Sequence, residues 1–203
     1  MSLELTGITH VYKEGGPAVL RDVSLRIAPG ETVALMGPSG SGKTTLLMIM
    51  GLLTKPTHGS IAIDGREVHD RSELAPLVGW VFQTANALGR RDATDNAALS
   101  LLGLGWDHRA ARARAREVLG AVGVGHLADR EARSLSGGEL QRVCIARALA
   151  TDPLFILADE PTGQLDRSTT ATVIDALIHN RSPETAAVIA THDPFVAQRC
   201  DRI

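Results

Sequence analysis

The N-terminal part of the chain alternates apolar and polar residues, and turn-forming residues at positions 15–17 and 29–30 interrupt the alternation. A period of two is typical of half-buried β-strands, because successive side chains of a strand point to opposite faces of its sheet. Short apolar runs bounded by glycine extend the pattern further along the chain. We therefore expect strands at about residues 3–9, 19–27, 33–36, 59–65 and 78–82.

The central segment, residues 92–124, repeats its apolar residues with the period of an α-helix. One face of this helical pattern is apolar and consists of Ala111, Ala115, Val118, Leu119 and Val122. The opposite face carries a row of basic residues, Arg109, Arg112 and Arg116. Such a row is usually a solvated helix face, which is the interpretation we favour. Contact of the row with acidic lipid or with a partner protein is the alternative.

Helices and buried strands alternate in the rest of the chain. The pattern predicts helices at about residues 45–50, 137–150, 168–180 and 194–199, and apolar strands at about residues 154–158 and 186–190. Apolar strands separated by helices are typical of a largely parallel sheet that is covered on both faces. The sequence therefore predicts an α/β fold.

Length and composition fit one globular domain of ordinary charge: 203 residues, 44% hydrophobic, 22% charged, with a formal net charge of -2. This balance gives no sign of the basic domain that nucleic-acid binding favours. No apolar run approaches the ~20 residues of a membrane-spanning helix, and the N-terminus lacks the pattern of a secretion signal. We therefore expect the chain in the cytoplasm, with Cys144 and Cys200 as free thiols.

A glycine-rich segment between an apolar strand and a helix fits the phosphate-binding pattern G-x-x-x-x-G-K-[ST]. It consists of Gly37, Pro38, Ser39, Gly40, Ser41, Gly42, Lys43, Thr44 and Thr45. Its glycines let backbone N–H groups approach phosphates, and the N-terminus of the following helix adds partial positive charge. Lys43 supplies a charge for the β- and γ-phosphates, and Thr44 supplies a hydroxyl for Mg²⁺.

Two adjacent carboxylates follow the apolar strand at residues 154–158. Asp159 stands where P-loop enzymes hold Mg²⁺, directly or through water. Glu160, the next residue, is a candidate to orient or deprotonate an attacking water.

A second candidate phosphate-binding helix begins at Ser136, within the sequence Leu-Ser-Gly-Gly-Glu. Ser136 and Glu139 have the spacing of a capping box. Capping does not explain Gly137 and Gly138, because glycine weakens the first turn of a helix. We interpret these glycines as permitting close approach of the backbone to a ligand, with anion binding at the helix end.

The three motifs together resemble those of the ATP-binding cassette (ABC) ATPases, and the resemblance covers nearly the whole chain. It implies a P-loop NTPase core with a mainly parallel sheet, an antiparallel β subdomain at the N-terminus and an inserted α-helical subdomain. Residues 1–203 would form a single domain. About 1–83 and 150–203 would form the core with the β subdomain, and about 84–149 the helical subdomain that carries the signature motif.

The resemblance assigns further roles, with ATP and Mg²⁺ as cofactors. Tyr12 matches the aromatic residue that stacks on adenine. Gln83 matches the glutamine that senses Mg²⁺ and faces the membrane partner. Asp166 matches an aspartate at the dimer seam, and His192, just past an apolar strand, matches the switch histidine that contacts the γ-phosphate. Lys43, Gln83, Glu160 and His192 would then be catalytic, and Thr44, Gln83 and Asp159 would serve the metal.

The resemblance also implies a homodimer, with ATP at the seam between the phosphate loop of one copy and Ser136, Gly137 and Gly138 of the other. The partner would be a separate transmembrane permease, or a fused membrane region, and the chain would lie on the cytoplasmic face of the inner membrane. A cytoplasmic helix of this membrane partner would dock near Gln83 and the segment 92–124. Residues 158–166 resemble the bacterial lipoprotein-release, macrolide-export and cell-division group, chiefly through Gly163 and Gln164. Family members usually continue past the switch histidine with another strand or two, whereas this sequence stops at Ile203.

Two other functions remain open at this point. Some ABC ATPases act on nucleic acid or ribosomes, but those usually carry coiled-coil or zinc-bearing insertions that are not evident here. A module that signals through its nucleotide state with little hydrolysis is the third possibility, although every catalytic position looks intact. The sequence does not name the cargo.

Overall fold

The computed structural model describes residues 1–13 and 15–203. Two four-stranded sheets form its framework. The first is antiparallel, with strand order β2-β1-β4-β5, and comprises β1 (Leu3–His10), β2 (Leu20–Ile27), β4 (His58–Ile63) and β5 (Arg66–Glu67). The second is parallel, with order β3-β8-β7-β6, and comprises β3 (Thr32–Met36), β6 (Val78–Val81), β7 (Phe155–Asp159) and β8 (Ala186–Thr191).

The α-helices are α1 (Lys43–Met50), α2 (Arg71–Leu74), α3 (Ala93–Gly103), α4 (His108–Ala121), α5 (Gly137–Leu149), α6 (Arg167–His179) and α7 (Pro194–Ala197). Helices α3, α4 and α5 pack against one another. This arrangement confirms the predicted α/β fold with a parallel sheet and an N-terminal antiparallel sheet. The subdomain boundaries near residues 84 and 149 stay a prediction.

The apolar strands form the centre of the parallel sheet because both of their faces are covered. All six residues of β8 and four of the five residues of β7 are buried. The register pairs Met36 with Thr191 and Asp159 with Ala190, so β3, β7 and β8 end at the same edge. In open parallel sheets ligands bind beyond this edge, where the loops that follow the strands meet.

Two buried apolar clusters hold the sheets and helices together. One lies between the parallel sheet and the helices α3 to α6 and includes Leu101, Ile145 and Ile174. The other lies between the two sheets and α1 and includes Ile8 and Leu47. Each such side chain contributes roughly 1.5–3 kcal/mol when fully buried. The clusters therefore fix α1 and the phosphate loop before it against both sheets.

The segment 92–124, which the sequence predicts to be helical, consists of two helices, α3 and α4, followed by a short turn. Helix α3 ends at Gly103, and α4 begins after Asp107, whose carboxylate accepts hydrogen bonds from the N–H groups of Arg109 and Ala110. The turn between them contains Gly105, whose backbone is left-handed with φ of 84°, and both helices pack on the same core. The short elements β5 and α2 were not predicted, since two and four residues carry too little periodicity.

The arginine row is only partly the solvated face that the sequence predicts. Arg112 is half-buried and forms ion pairs with Asp92, at 3.1 Å, and with Asp95. Arg116 pairs with Asp129. Arg109 is exposed, as expected. The row therefore serves in part to tie α4 to the start of α3.

Within residues 1–13 and 15–203, no helix combines the length and the apolar character that crossing a bilayer requires.

Candidate nucleotide site

The phosphate loop connects β3 to α1 and is held in shape by glycine and by one lysine. Gly42 adopts a left-handed conformation, with φ of 93°, and a Cβ there would lie 2.9 Å from Cδ2 of Leu20. A larger residue would both strain the backbone and collide with β2. The ammonium of Lys43 donates hydrogen bonds to the carbonyls of Gly37 (2.7 Å) and Pro38 (3.1 Å). The positive charge of Lys43 thus lies against carbonyl oxygens of the phosphate loop.

Helix α1 differs from the other long helices in how it begins. Helices α3, α4, α5 and α6 each start with an aspartate or serine side chain that accepts a backbone hydrogen bond. The cap residue of α1 is Gly42, which has no side chain to offer, and no acidic residue stands in the first turn. The N–H groups at this helix end are therefore available to an anion.

Thr44 and Asp159 form a pair of oxygen ligands at the start of α1. The Thr44 hydroxyl donates a hydrogen bond to Oδ2 of Asp159 at 2.8 Å. The other carboxylate oxygen, Oδ1, is buried and has no hydrogen-bond partner among the described residues. Burial raises the pKa of Asp159, and the charge of Glu160 adds to this, against the opposing Thr44 hydrogen bond. An unpartnered buried carboxylate oxygen beside a hydroxyl fits a hard cation such as Mg²⁺.

Glu160 is held between two basic groups. Its Oε2 accepts a hydrogen bond from Nδ1 of His192 at 2.8 Å, and its Oε1 lies 3.9 Å from Nζ of Lys43. The residue has a left-handed backbone, with φ of 44°, and its N–H donates to the carbonyl of Ala190. A non-glycine residue in this conformation is strained, and such strain clusters at functional sites. The side chain is therefore placed by β8 and by His192 rather than by its own backbone preference.

These groups open onto one cavity of about 650 Å³. Its lining includes twelve residues: Tyr12, Val19, Ser39, Gly40, Gly42, Lys43, Thr44, Thr45, Gln83, Asp159, Glu160 and His192. Most of the residues that the sequence singles out are thus brought to one place. Val19 was not among them, because an apolar residue at a strand start carries no functional signal.

Tyr12 and Gln83 also line this cavity, and both are exposed. The Tyr12 hydroxyl is 2.9 Å from Oγ1 of Thr45, and the residue is 64% exposed. The Gln83 amide nitrogen lies 3.5 Å from where a Cβ on Gly163 would stand. Adenine stacking by Tyr12 and metal sensing by Gln83 stay predictions.

The signature residues and Asp166 have contacts of their own, and none of them is among the residues that line the cavity. Ser136 and Glu139 form the predicted capping box. A Cβ on Gly138 would lie 2.2 Å from Cγ2 of Thr169, so this glycine permits close packing of α5 on α6. Asp166 caps α6 through the N–H groups of Ser168 and Thr169, and hydrogen bonds, led by the Ser168 hydroxyl, lower its pKa.

The family of the chain follows from comparison with known proteins. A family model described as "ABC transporter" matches residues 20–163. The chain belongs to the ABC transporter family. This ABC chain is 46% identical to the lipoprotein-releasing system ATP-binding protein LolD 2 of Caulobacter vibrioides, over 99% of its own length and 92% of that protein. It is 43% identical to the macrolide export ATP-binding/permease protein MacB of Syntrophobacter fumaroxidans, over 99% of its length and 30% of that protein.

Solved structures agree with this assignment. The dimeric structure of MJ0796, a bacterial ABC transporter cassette, matches with a TM-score of 0.86 at 38% identity, covering 99% of this chain and 93% of that one. A second structure of MJ0796, in a post-hydrolysis state with ADP and Pi, matches with a TM-score of 0.85 at 38% identity and the same coverage.

The ABC chain is therefore an ATP-binding and ATP-hydrolysing subunit, and its relatives are those of the lipoprotein-release and macrolide-export group, as the sequence predicts. The comparisons support the function in transport over the alternative of an ABC ATPase that acts on nucleic acid or ribosomes.

Proposed function

We propose that this ABC-type ATPase hydrolyses MgATP with Glu160 as the group that activates water, and that it does so to drive lipoprotein release. The observation that carries the catalytic part is the position of Glu160 between Lys43 and His192 at the cavity that the phosphate loop forms. A carboxylate so placed is oriented by both groups, as a general base must be.

In this proposal, several residues of the chain each contribute one function to phosphoryl transfer. The N–H groups at the start of α1 hold the phosphates, and Lys43 exchanges the carbonyls of Gly37 and Pro38 for phosphate oxygens. The Thr44 hydroxyl and Asp159 would hold Mg²⁺, with Gln83 in the same cavity, and the metal would neutralise charge on the phosphate oxygens.

Glu160 completes the reaction at the γ-phosphate. It accepts a proton from the water whose oxygen bonds to the γ-phosphorus, while the bond from that phosphorus to the ADP oxygen breaks. His192 keeps the carboxylate turned toward the water through its 2.8 Å hydrogen bond. Because that hydrogen bond is already present, little reorganisation is needed when the nucleotide arrives.

A second copy of the chain supplies the other half of the site in this proposal. The N-terminus of α1 faces the cavity, but the N-terminus of the signature helix α5 does not. Ser136, Gly137 and Gly138 are not among the residues that line the cavity. They can reach a bound nucleotide from a second copy, together with Asp166. The dimeric form of the relative MJ0796 supports a homodimer with ATP at the seam.

The membrane partner, in this proposal, inserts a cytoplasmic helix into an apolar groove of about 420 Å³ between β6 and the helices α3 and α5. Trp80, Phe82, Leu99, Leu104 and Arg147 are among its lining residues. Phe82 of the groove directly precedes Gln83, near which the family resemblance implies that the partner helix docks. The name of the Caulobacter relative supports a lipoprotein-releasing complex, and so a peripheral position at the cytoplasmic face of the inner membrane.

The substitution Glu160→Gln tests the catalytic proposal. It keeps the shape of the side chain and removes the base, so we expect ATP binding in calorimetry, an ATP-dependent dimer in gel filtration and phosphate release reduced by about 10²-fold or more. Glu117→Gln, at an exposed position of α4, is the matched control. Turnover of the Glu160 variant near that of wild type would refute the assignment.

Replacement of the Caulobacter relative by this chain tests the biological role. We expect the wild-type chain to release lipoproteins from the inner membrane and the Glu160→Gln chain to leave them there. Retention of lipoproteins by cells with well-expressed, ATP-hydrolysing wild-type chain would argue against this substrate.

A further inference from the structure

The ring of Tyr12 is held at two points before any nucleotide binds. Its hydroxyl is 2.9 Å from Oγ1 of the buried Thr45, in the first turn of α1. Its ring meets that of His10 edge to face, with centroids 4.7 Å apart and planes at 89°. Most of the tyrosine nevertheless stays exposed on the side of the cavity. One surface of the ring is thus supported while another remains free.

His10 is a firm support because the antiparallel sheet fixes it. It is the last residue of β1, only 6% exposed, and its carbonyl accepts a hydrogen bond from the N–H of Val19. Val19 lines the cavity and, with Leu20, packs against Gly42 of the phosphate loop. The imidazole is therefore part of a packed unit that joins the sheet to the loop.

The imidazole nitrogens have no hydrogen-bond partner within residues 1–13 and 15–203. A buried polar group without a partner is destabilising, so hydrogen bonding does not explain why a histidine lies at position 10. The flat ring of His10 does explain it, because the ring presents an aromatic partner to Tyr12.

We propose that His10 is a positioning residue for the base of ATP, acting through Tyr12. This inference rests on the proposed ATPase site and adds to it a determinant of base affinity. An exposed tyrosine on a loop samples several rotamers, and ordering it on binding costs affinity. The contacts with His10 and Thr45 select one orientation in advance. Affinity for the base then depends on His10, whereas affinity for the phosphate chain does not.

Substitution of His10 separates these two contributions. We expect His10→Leu to raise KM for ATP about fivefold, with a smaller effect on kcat, because it removes the aromatic contact that orients Tyr12. His10→Phe keeps the ring contact and restores KM. Tripolyphosphate, which has the phosphates but no base, should inhibit both variants and wild type with equal strength. His58→Leu, an exposed histidine of β4, is the matched control.

A spectroscopic signal reports on the tyrosine directly. Tyr12 is the only tyrosine of the chain, so incorporation of 3-fluorotyrosine gives a single ¹⁹F resonance. We expect His10→Leu to shift this resonance in the nucleotide-free protein, and His10→Phe to shift it less.

Two results would overturn the inference: a KM for ATP in His10→Leu within 1.5-fold of wild type, or an equal loss of affinity for ATP and tripolyphosphate. Failure of the wild-type chain to bind ATP at all would overturn the proposed function, and this inference with it.

Discussion

Nδ1 of His192 lies 2.8 Å from Oε2 of Glu160, and the hydrogen bond joins the ends of two neighbouring parallel strands, β7 and β8. His192 is largely exposed, whereas the Glu160 carboxylate is only 15% exposed. The imidazole therefore approaches the carboxylate from the solvent side, and Lys43 approaches it from the loop side. The carboxylate is oriented by these two groups, and its catalytic value should depend on both.

Removal of the imidazole should slow the chemistry more than it weakens binding. We expect His192→Ala to lower kcat by about 10²-fold, because the carboxylate loses its orienting hydrogen bond, while the dissociation constant for ATP changes by less than about threefold. Phosphate release and calorimetry measure the two quantities. His192→Gln should recover part of the rate, since its amide can donate to Glu160. His179→Ala, at the exposed end of α6, serves as the control; a His192→Ala rate equal to the control would contradict the role.

Asp159 should lower the stability of the ligand-free protein and raise that of the loaded one. Its folded-state pKa is raised by burial, so its stabilising contribution is complete below its unfolded pKa near 3.8 and is lost as pH rises through the folded pKa. At pH 7 the buried carboxylate is therefore a net cost. We expect Asp159→Asn to raise the melting temperature of the ligand-free protein at pH 7, and this gain to vanish toward pH 3.

The same variant should lose the stabilisation by nucleotide. Wild type at ATP about 100 times its dissociation constant should melt roughly 5–10 °C higher, and the shift should fall when EDTA removes Mg²⁺. Asp159→Asn should show little dependence on Mg²⁺ in the same melting experiment. A variant whose ATP-dependent shift responds to Mg²⁺ as strongly as wild type would show that Asp159 does not hold the metal.

The sequence predicts those parts of the site that lie next to one another along the chain. An apolar strand followed by Asp159 and Glu160 identifies the edge of a parallel sheet, and the glycine-rich loop identifies the start of α1. The His192 position also follows, because β8 is a long apolar run that must end at the same edge. The family resemblance added Tyr12 and Gln83, which no local pattern marks as functional.

Contacts between distant helices could not be predicted in the same way. The partners of Arg112 are 17 and 20 residues away in sequence, across the turn between α3 and α4. The close approach of a ligand to Gly138 stays a prediction, and the structure adds a contact that the sequence does not reveal: a Cβ there would lie 2.2 Å from Cγ2 of Thr169 in α6. In both places the three-dimensional packing of helices decides which side chain a residue meets, and periodicity specifies only the face.

The ion pairs of Arg112 should contribute to stability, unlike the exposed part of the arginine row. We expect Arg112→Ala to lower the free energy of unfolding by about 1–3 kcal/mol, because it removes the ion pair of the half-buried Asp92 and leaves Asp95 with its 3.5 Å pair to Arg91. Arg109→Ala, on the exposed side of the same helix, should change it by less than about 0.5 kcal/mol. Urea unfolding of the two variants measures the difference. Equal effects of the two substitutions on the free energy of unfolding would show that the whole arginine row is a solvated helix face.

Gly138 should be intolerant of even a methyl group, for a reason that Gly137 does not share. A Cβ at position 138 would lie 2.2 Å from Cγ2 of Thr169, whereas one at position 137 would lie 3.5 Å from its nearest neighbour, Leu165. Thr169 cannot rotate away freely, since its hydroxyl donates to Asp166 at 2.6 Å. We expect Gly138→Ala to destabilise the nucleotide-free protein by about 1–3 kcal/mol, after allowance for the better helix propensity of alanine.

Two further substitutions, at Gly137 and Thr169, test whether the methyl group added at position 138 causes the loss of stability. Gly137→Ala should be neutral or slightly stabilising, because its Cβ makes an ordinary contact in the first turn. Thr169→Ser removes Cγ2 and keeps the hydroxyl, so the double variant Gly138→Ala/Thr169→Ser should recover most of the lost stability. The coupling energy between the two positions, measured by chemical unfolding in a double-mutant cycle, should exceed about 0.5 kcal/mol. Additive effects would mean that α5 and α6 separate to admit the methyl group, and that the second glycine of the signature is not required by this packing.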